Sequence, residues 1–140
     1  MYIRRVNEGD KDLVKEWLNS IEWNGFDAAF MPSTSFMVYD GDTPICCSYY
    51  YCIDEVSIAL MGITIANPDY KENKSEYIQH LLKYIINDMK EKNLRVCYYS
   101  TYAQSEKFVK KYMEPLGFQF SQGFVGACSL TLTDKVEFLV

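Results

Sequence analysis

The sequence predicts one α/β domain built on a mixed sheet, and three observations carry that prediction. Apolar residues recur at Ile78, Leu81, Leu82, Ile85, Ile86 and Met89, in the steps of three and four that place them on one helical face. That helix lies between two strand-like runs, "VSIALMGITIA" and "NLRVCYYST", and strand, helix, strand makes a parallel crossover. A third run, "SFMVYDGDTPICCSYYYCI", sets Asp-Gly-Asp between two β-rich segments, the signature of an antiparallel hairpin. Parallel and antiparallel pairs together give a mixed central sheet flanked by helices. The chain has 140 residues, 49% of them hydrophobic, which suits a single domain over residues 1–140 with its own core.

The elements follow in order. "YIRRV" from Tyr2 to Val6 alternates weakly and reads as a short strand. A helix is expected from about Asp10 to Leu18, with Leu13, Val14, Trp17 and Leu18 on its apolar face and Asp10 as N-cap. Glu22 to Ser35 is less regular, broken by Gly25 and Pro32, with room for a short second helix. The hairpin comes next, then a turn at Asp54-Glu55. Val56 to Ala66 is expected as one strand, apolar on both faces as a central strand should be. Within it, Gly62 marks either a bulge with close backbone approach or a residue merely tolerated beside a large neighbour. After the crossover helix and its strand, a further helix runs from about Thr101 or Ser105 to Glu114, stopped by Pro115. "GFQF" and "FVGACSLTLT" close the chain as two strands.

Charge and cysteines narrow the function classes. The formal net charge is -5 and the pI about 4.9, which argues against nucleic acid as a partner, because that binding relies on Lys and Arg neutralising phosphates. Lys107, Lys110 and Lys111 form only a local cluster, read as a solvated helix face. The five cysteines, Cys46, Cys47, Cys52, Cys97 and Cys128, sit in apolar runs. None has C-x-x-C spacing, and the one histidine, His80, is remote in sequence, so no metal site is expected. Buried reduced thiols suit a reducing compartment. No segment reads as a signal peptide or membrane span. The expectation is a cytoplasmic protein with no membrane partner.

The loop "ANPDYKENKSEYIQHLL", from Ala66 to Leu82, follows a strand and opens a helix. Helix N-termini bind anions through free backbone donors. Yet this loop holds no glycine, and Asn73-Lys74-Ser75-Glu76 also fits a capping box, with Asn73 as N-cap and Glu76 at the third helical position. In that geometry the donors serve the fold.

The element order, "ITIANPDY" leading into a long amphipathic helix, and "SEKFVKKYMEPLGF" in the second half together resemble the GCN5-related N-acetyltransferase (GNAT) family across essentially the whole chain. The resemblance implies the acyl-CoA N-acyltransferase fold, acetyl-CoA as cosubstrate, and a small-molecule or peptide amine as acceptor, in a monomer or homodimer. It places Thr64, Ile65 and Ala66 where backbone groups pair with the pantetheine arm. Lys71, Glu72, Asn73, Lys74, Ser75, Glu76 and Tyr77 fall on the pyrophosphate loop, and Ser105 where an asparagine often contacts the cofactor. Tyr112 falls on the general acid, with one extra residue between it and Gly117. Trp23, Phe26 and Phe30 belong to the segment that roofs the acceptor site. The loop departs from the family's pattern: its Arg or Gln is Lys71, and its two small residues are Lys74 and Glu76. Where many members place a catalytic carboxylate, this chain has Gly62 and Ile63.

Two functions follow from these residues. The first is N-acetyl transfer, with Tyr112 protonating the departing thiolate; taken without the resemblance, Tyr112 reads as a core aromatic beside Phe108, Val109 and Met113. No general base stands out among Glu22, Asp54, Glu55 and His80, and Cys97 reads as a packed strand thiol. Tyr49, Tyr50, Tyr51, Tyr98 and Tyr99 either line a cleft or pack on strand neighbours. The second function is a catalytically silent GNAT-like module that binds a protein partner or metabolite, favoured by the altered loop.

Overall fold

A computed structural model of the chain describes residues 1–23, 26–100, 106–120 and 127–132. It divides into two compact units, one of residues 1–50 and 63–85, the other of residues 51–62 and 86–140.

In the first unit, β1 (Tyr2–Arg5), β2 (Ser35–Asp40), β3 (Thr43–Ile53) and β5 (Ile65–Ala66) pair antiparallel. The β2–β3 hairpin closes on Gly41 and Asp42, and Gly41 has a φ of 57°, which a two-residue hairpin turn asks of glycine. Val38 faces Cys46 but Tyr39 faces Pro44, so Ile45 is an extra residue and bulges β3.

Helix α1 spans Glu8–Ser20. Its N-cap is Asn7 rather than Asp10, which corrects the expected start. Asp10 is instead the third helical residue of a capping box: its N–H donates to Asn7 Oδ1 and its carboxylate accepts from the Asn7 N–H, each at 2.9 Å. Val14, Trp17 and Leu18 bury against Met37, Tyr39, Cys47, Tyr49, Ile63 and Ile65 to form the core on this face. The irregular segment that follows contributes one 3₁₀ turn, Ala28–Phe30, capped by Asp27.

The crossover helix α2 spans Lys74–Glu91. Every apolar residue of the sequence stripe, from Ile78 to Met89, is buried. Phe36 of β2 meets Tyr84 of α2 edge-on at 5.2 Å, so α2 covers the face of β2 opposite to the Met37 and Tyr39 side.

In the second unit, β4 (Ile58–Met61) and β6 (Val96–Ser100) run parallel, with Ile58 facing Val96 and Met61 facing Tyr99. The expected parallel crossover is therefore present. β8 (Ala127–Thr131) pairs antiparallel with β6 and with β7 (Gln119–Phe120). The expected single strand from Val56 to Ala66 is two. Val56 belongs to a 3₁₀ turn, Ser57 is left-handed with φ 53°, and the strand path breaks at Gly62–Thr64 between β4 and β5.

The helix before Pro115 is not uniform. It starts as α3 (Glu106–Phe108), widens to a π turn at Val109–Met113, and tightens to a 3₁₀ turn at Glu114–Leu116. Gly117 ends it at φ 96°, and a Cβ there would press within 3.2 Å of Leu130. Val109, Tyr112 and Met113 are buried, while Lys107, Lys110 and Lys111 are exposed. Thr101 to Ser105 lie outside the described residues. No helix among the described residues is long and apolar enough to cross a membrane.

Candidate active site

The first unit gathers most of the residues singled out for the cofactor. β5 pairs with β3 and, among the described residues, with no other strand. Asn67 N–H donates to the Ile45 carbonyl at 2.8 Å. Backbone groups alternate sides along an antiparallel pair, so the N–H and C=O of Ala66 turn away from β3. That leaves a short open edge able to pair with an extended amide chain. Thr64 is half-buried just before it, its hydroxyl 3.4 Å from that of Ser48.

Asn67 fastens the start of the following loop. Besides its own N–H bond, its Nδ2 donates to the Pro44 carbonyl at 3.0 Å, and its Oδ1 accepts from the Asp69 N–H at 2.9 Å. Its carbonyl accepts from the Tyr70 N–H at 3.3 Å. Tyr70 then donates its hydroxyl to Asp40 Oδ2 at 3.0 Å and sets its ring edge-on to Tyr77, 5.8 Å between centroids. Tyr77 first, then loss of solvent around the phenol and the bond to Asp40, hold Tyr70 above the usual tyrosine range.

The start of α2 differs from a capping box. Asn73 has a φ of 52°, in the left-handed region, whereas an N-cap residue is extended. The Glu76 N–H donates to the Asn73 carbonyl at 3.0 Å, not to its side chain. The carboxylate of Glu76 is on an exposed residue, as are Lys71, Glu72 and Asn73. Lys74 and Ser75 are half-buried and Tyr77 is buried. The Lys74 ammonium acts on Cys46, whose thiol burial pushes up to about 12 against the pull of that charge. The positive end of the helix and two lysines suit an anion; Glu72 and Glu76 oppose it.

The other singled-out residues occupy several settings. Phe26 stacks on Tyr49 at 5.0 Å, and it and Trp23 pack on the core of the first unit. Phe30 is 73% exposed. In the second unit, Tyr112 is buried in the π turn, its ring 4.7 Å from Phe108, with the Lys111 ammonium 5.3 Å above it. Ser105 lies outside the described residues. Glu22, Asp54, Glu55 and His80 are all exposed. Among the tyrosines, Tyr49, Tyr50 and Tyr99 are buried, while Tyr51 and Tyr98 are partly exposed. Cys46, Cys47 and Cys97 are buried free thiols, but Cys52 is exposed, against the expectation of burial. No metal-binding group of three or more His, Cys, Asp or Glu exists among the described residues. Sequence reasoning passed over Asn67, Tyr70 and Asp40 as loop partners; the Asn-Pro step was the one local signal.

No protein-family model and no curated protein matches the chain by sequence. Solved structures do match in fold. The ribosomal-protein-S18-alanine N-acetyltransferase of Escherichia coli is 14% identical, with a TM-score of 0.74, covering 99% of this chain and 98% of that one. The aminoglycoside 6'-N-acetyltransferase of Enterococcus faecium is 12% identical, with a TM-score of 0.72 and coverage of 98% and 100%. The yncA protein of Salmonella typhimurium, solved with its cofactor acetyl-CoA, is 10% identical, with a TM-score of 0.72 and coverage of 97% and 96%. The chain has the acyl-CoA N-acyltransferase fold of GNAT acetyltransferases.

Proposed function

We propose that this chain is an N-acetyltransferase that moves an acetyl group from acetyl-CoA to an amine of a small molecule or peptide. The observation that carries the reading is the open backbone edge of β5, followed at once by a fastened loop and a helix start, in a fold shared with acetyltransferases over nearly the whole chain. Thr64 and Ala66 would pair with the pantetheine amides, while Ile65 between them turns its backbone groups to β3. Lys71 to Tyr77 would receive the pyrophosphate, with Lys71 and Lys74 supplying charge where the family places small residues, and Ser105 would add a cofactor contact. Trp23, Phe26 and Phe30 would form the acceptor's aromatic surround. The acidic chain, at net charge -5, suits a cationic amine. Residues 1–140 are read here as one acetyltransferase domain working in the cytoplasm.

The reaction breaks the thioester C–S bond and forms an amide C–N bond. The amine gives up a proton and the departing thiolate takes one. Tyr112 is the proposed donor to the thiolate. With no carboxylate at Gly62 or Ile63, the amine proton leaves through water.

A second reading, a silent GNAT-like module that binds a protein or metabolite, is favoured by Glu76. Its exposed carboxylate stands at the third position of the helix whose donors would face the pyrophosphate. Thermal melts with and without acetyl-CoA separate the two. Ligand at about a hundred times its dissociation constant adds about 2.7 kcal/mol of stability, a shift of several degrees. A shift together with thiol release on adding amines supports the enzyme; no shift at millimolar acetyl-CoA supports the silent module.

A further inference from the structure

The loop from Asn67 to Asn73 contains no glycine, and its backbone reaches the left-handed region only at Asn73. It is nevertheless fastened at two places to the tip of the β2–β3 hairpin. Asn67 holds Pro44 and Ile45, and Tyr70 holds Asp40 across 30 residues of sequence. The same Tyr70 ring abuts Tyr77 in the first turn of α2, so a single side chain links hairpin tip, loop and helix start. A loop left free would lose conformational entropy on gripping a ligand, and prior ordering removes that cost.

We infer that Tyr70 and Asp40 are positioning residues for the candidate acetyl-CoA loop, holding residues 67–77 in their binding shape through a side-chain tie. The inference rests on the acetyl-CoA reading above. It assigns a role to the β2–β3 hairpin tip, which touches no part of the proposed reaction. The Asp40 carboxylate accepts a hydrogen bond from the Tyr70 phenol, and the tie serves the loop's shape, not the ligand.

The test is a double-mutant cycle with Tyr70→Phe and Asp40→Ala, read by calorimetric titration of acetyl-CoA. Each single variant is expected to weaken binding about fivefold, the scale of one net hydrogen bond. The double variant should be no weaker than Tyr70→Phe, because that substitution already removes the tie to Asp40. Asp40→Asn, which still offers an acceptor oxygen, should restore most of the affinity. KM for acetyl-CoA should rise with kcat unchanged. Hydrogen exchange in the unliganded protein gives a second readout. The Asp69 and Tyr70 amides both donate to Asn67, and they should exchange faster in Tyr70→Phe while the core amides keep their rates. If the parent binds and Tyr70→Phe changes neither affinity nor exchange, or if the two singles add fully, the positioning role is overturned alone. If the parent does not bind acetyl-CoA at millimolar concentration, the acetyl-CoA reading falls and this role falls with it.

Discussion

Arg4 grips Asp10 with both terminal nitrogens, Nη1 to Oδ2 at 2.6 Å and Nη2 to Oδ1 at 3.0 Å. Tyr39 adds its hydroxyl to Asp10 Oδ1 at 2.7 Å. The carboxylate that caps α1 thus also ties β1 and β2 to that helix. Burial alone would push the Asp10 carboxyl up, but Arg4, the Asn7 amide and Tyr39 outweigh it and hold the group below its usual range.

Asp10→Ala should therefore cost about 2–3 kcal/mol, combining a lost cap with an orphaned, partly exposed guanidinium. The sign of the pH effect follows from a depressed folded-state pKa. Asp10 stabilises fully above its unfolded value of about 3.9, and that stability is lost as pH falls through the lower folded value. Urea midpoints from pH 7 to pH 3 should drop more steeply for the parent than for Asp10→Asn. Parallel slopes would show that the pair contributes nothing.

Asn73 and Glu76 give opposite outcomes. Asn73 sits at φ 52°, where glycine is at ease and a β-branched residue is strained. Asn73→Gly should leave stability within about 0.5 kcal/mol, and Asn73→Val should lose about 1–2 kcal/mol, by chemical denaturation. Glu76→Gly should lose about 1 kcal/mol of helix stability yet tighten acetyl-CoA. The parent's carboxylate about 5 Å from a phosphate would repel it by roughly 1–3 kcal/mol. Lys74→Ala should weaken binding, most clearly at low salt. Titrations of the parent, Glu76→Gly and Lys74→Ala at two ionic strengths check the binding arms.

Tyr112→Phe should lower kcat by about 10²–10⁴-fold and leave acetyl-CoA affinity nearly unchanged, the mark of a group acting on the leaving thiolate. The ring stays packed on Phe108 in either protein, so the variant should still fold and melt cooperatively. Full activity in the variant would return Tyr112 to a packing role.

Phe26 and Phe30 should separate packing from binding. Phe26 stacks on Tyr49, and Phe26→Ala should cost about 2 kcal/mol, less than a fully buried phenylalanine. Phe30 is largely exposed, so Phe30→Ala should cost less stability than Phe26→Ala. Its expected effect is a higher KM for the amine, read by thiol release across a panel of amines. An unchanged KM would remove Phe30 from the acceptor surround.

Legibility followed the range of the interactions. The stripe from Ile78 to Met89 fixed α2 because each residue's burial is set by helical spacing alone. The hairpin was readable from Asp-Gly-Asp, since the turn itself demands those residue types. The Val56–Ala66 run misled because apolarity says where a chain is buried and not where it bends; the left-handed Ser57 and the break at Gly62 depend on what surrounds them. Asn7 and Asp10 are both competent N-caps by residue type, and the choice of Asn7 goes with long-range partners of Asp10, Arg4 and Tyr39, that no local pattern announces. The Asn73–Glu76 segment carries capping-box residues, yet Asn73 is left-handed, a conformation asparagine tolerates and residue type alone does not announce. Tyr70 and Asp40 share no local pattern, so their tie had no sequence signal.

Cys46 and Cys47 are successive residues of β3, and successive strand side chains point to opposite faces. Cys47 lies in the core beneath α1, while Cys46 feels the charge of Lys74 on α2. Both thiols are buried and held protonated, and burial is the first cause for each. The molecule therefore carries a natural pair of clocks, one on each side of the same strand. A thiol-modifying reagent should reach Cys47 when its side of the sheet, under α1, opens, and Cys46 when the opposite side opens. With peptide mapping to tell the two apart, and exposed Cys52 as the fast reference, their labelling half-lives time the loosening of each side without any introduced probe.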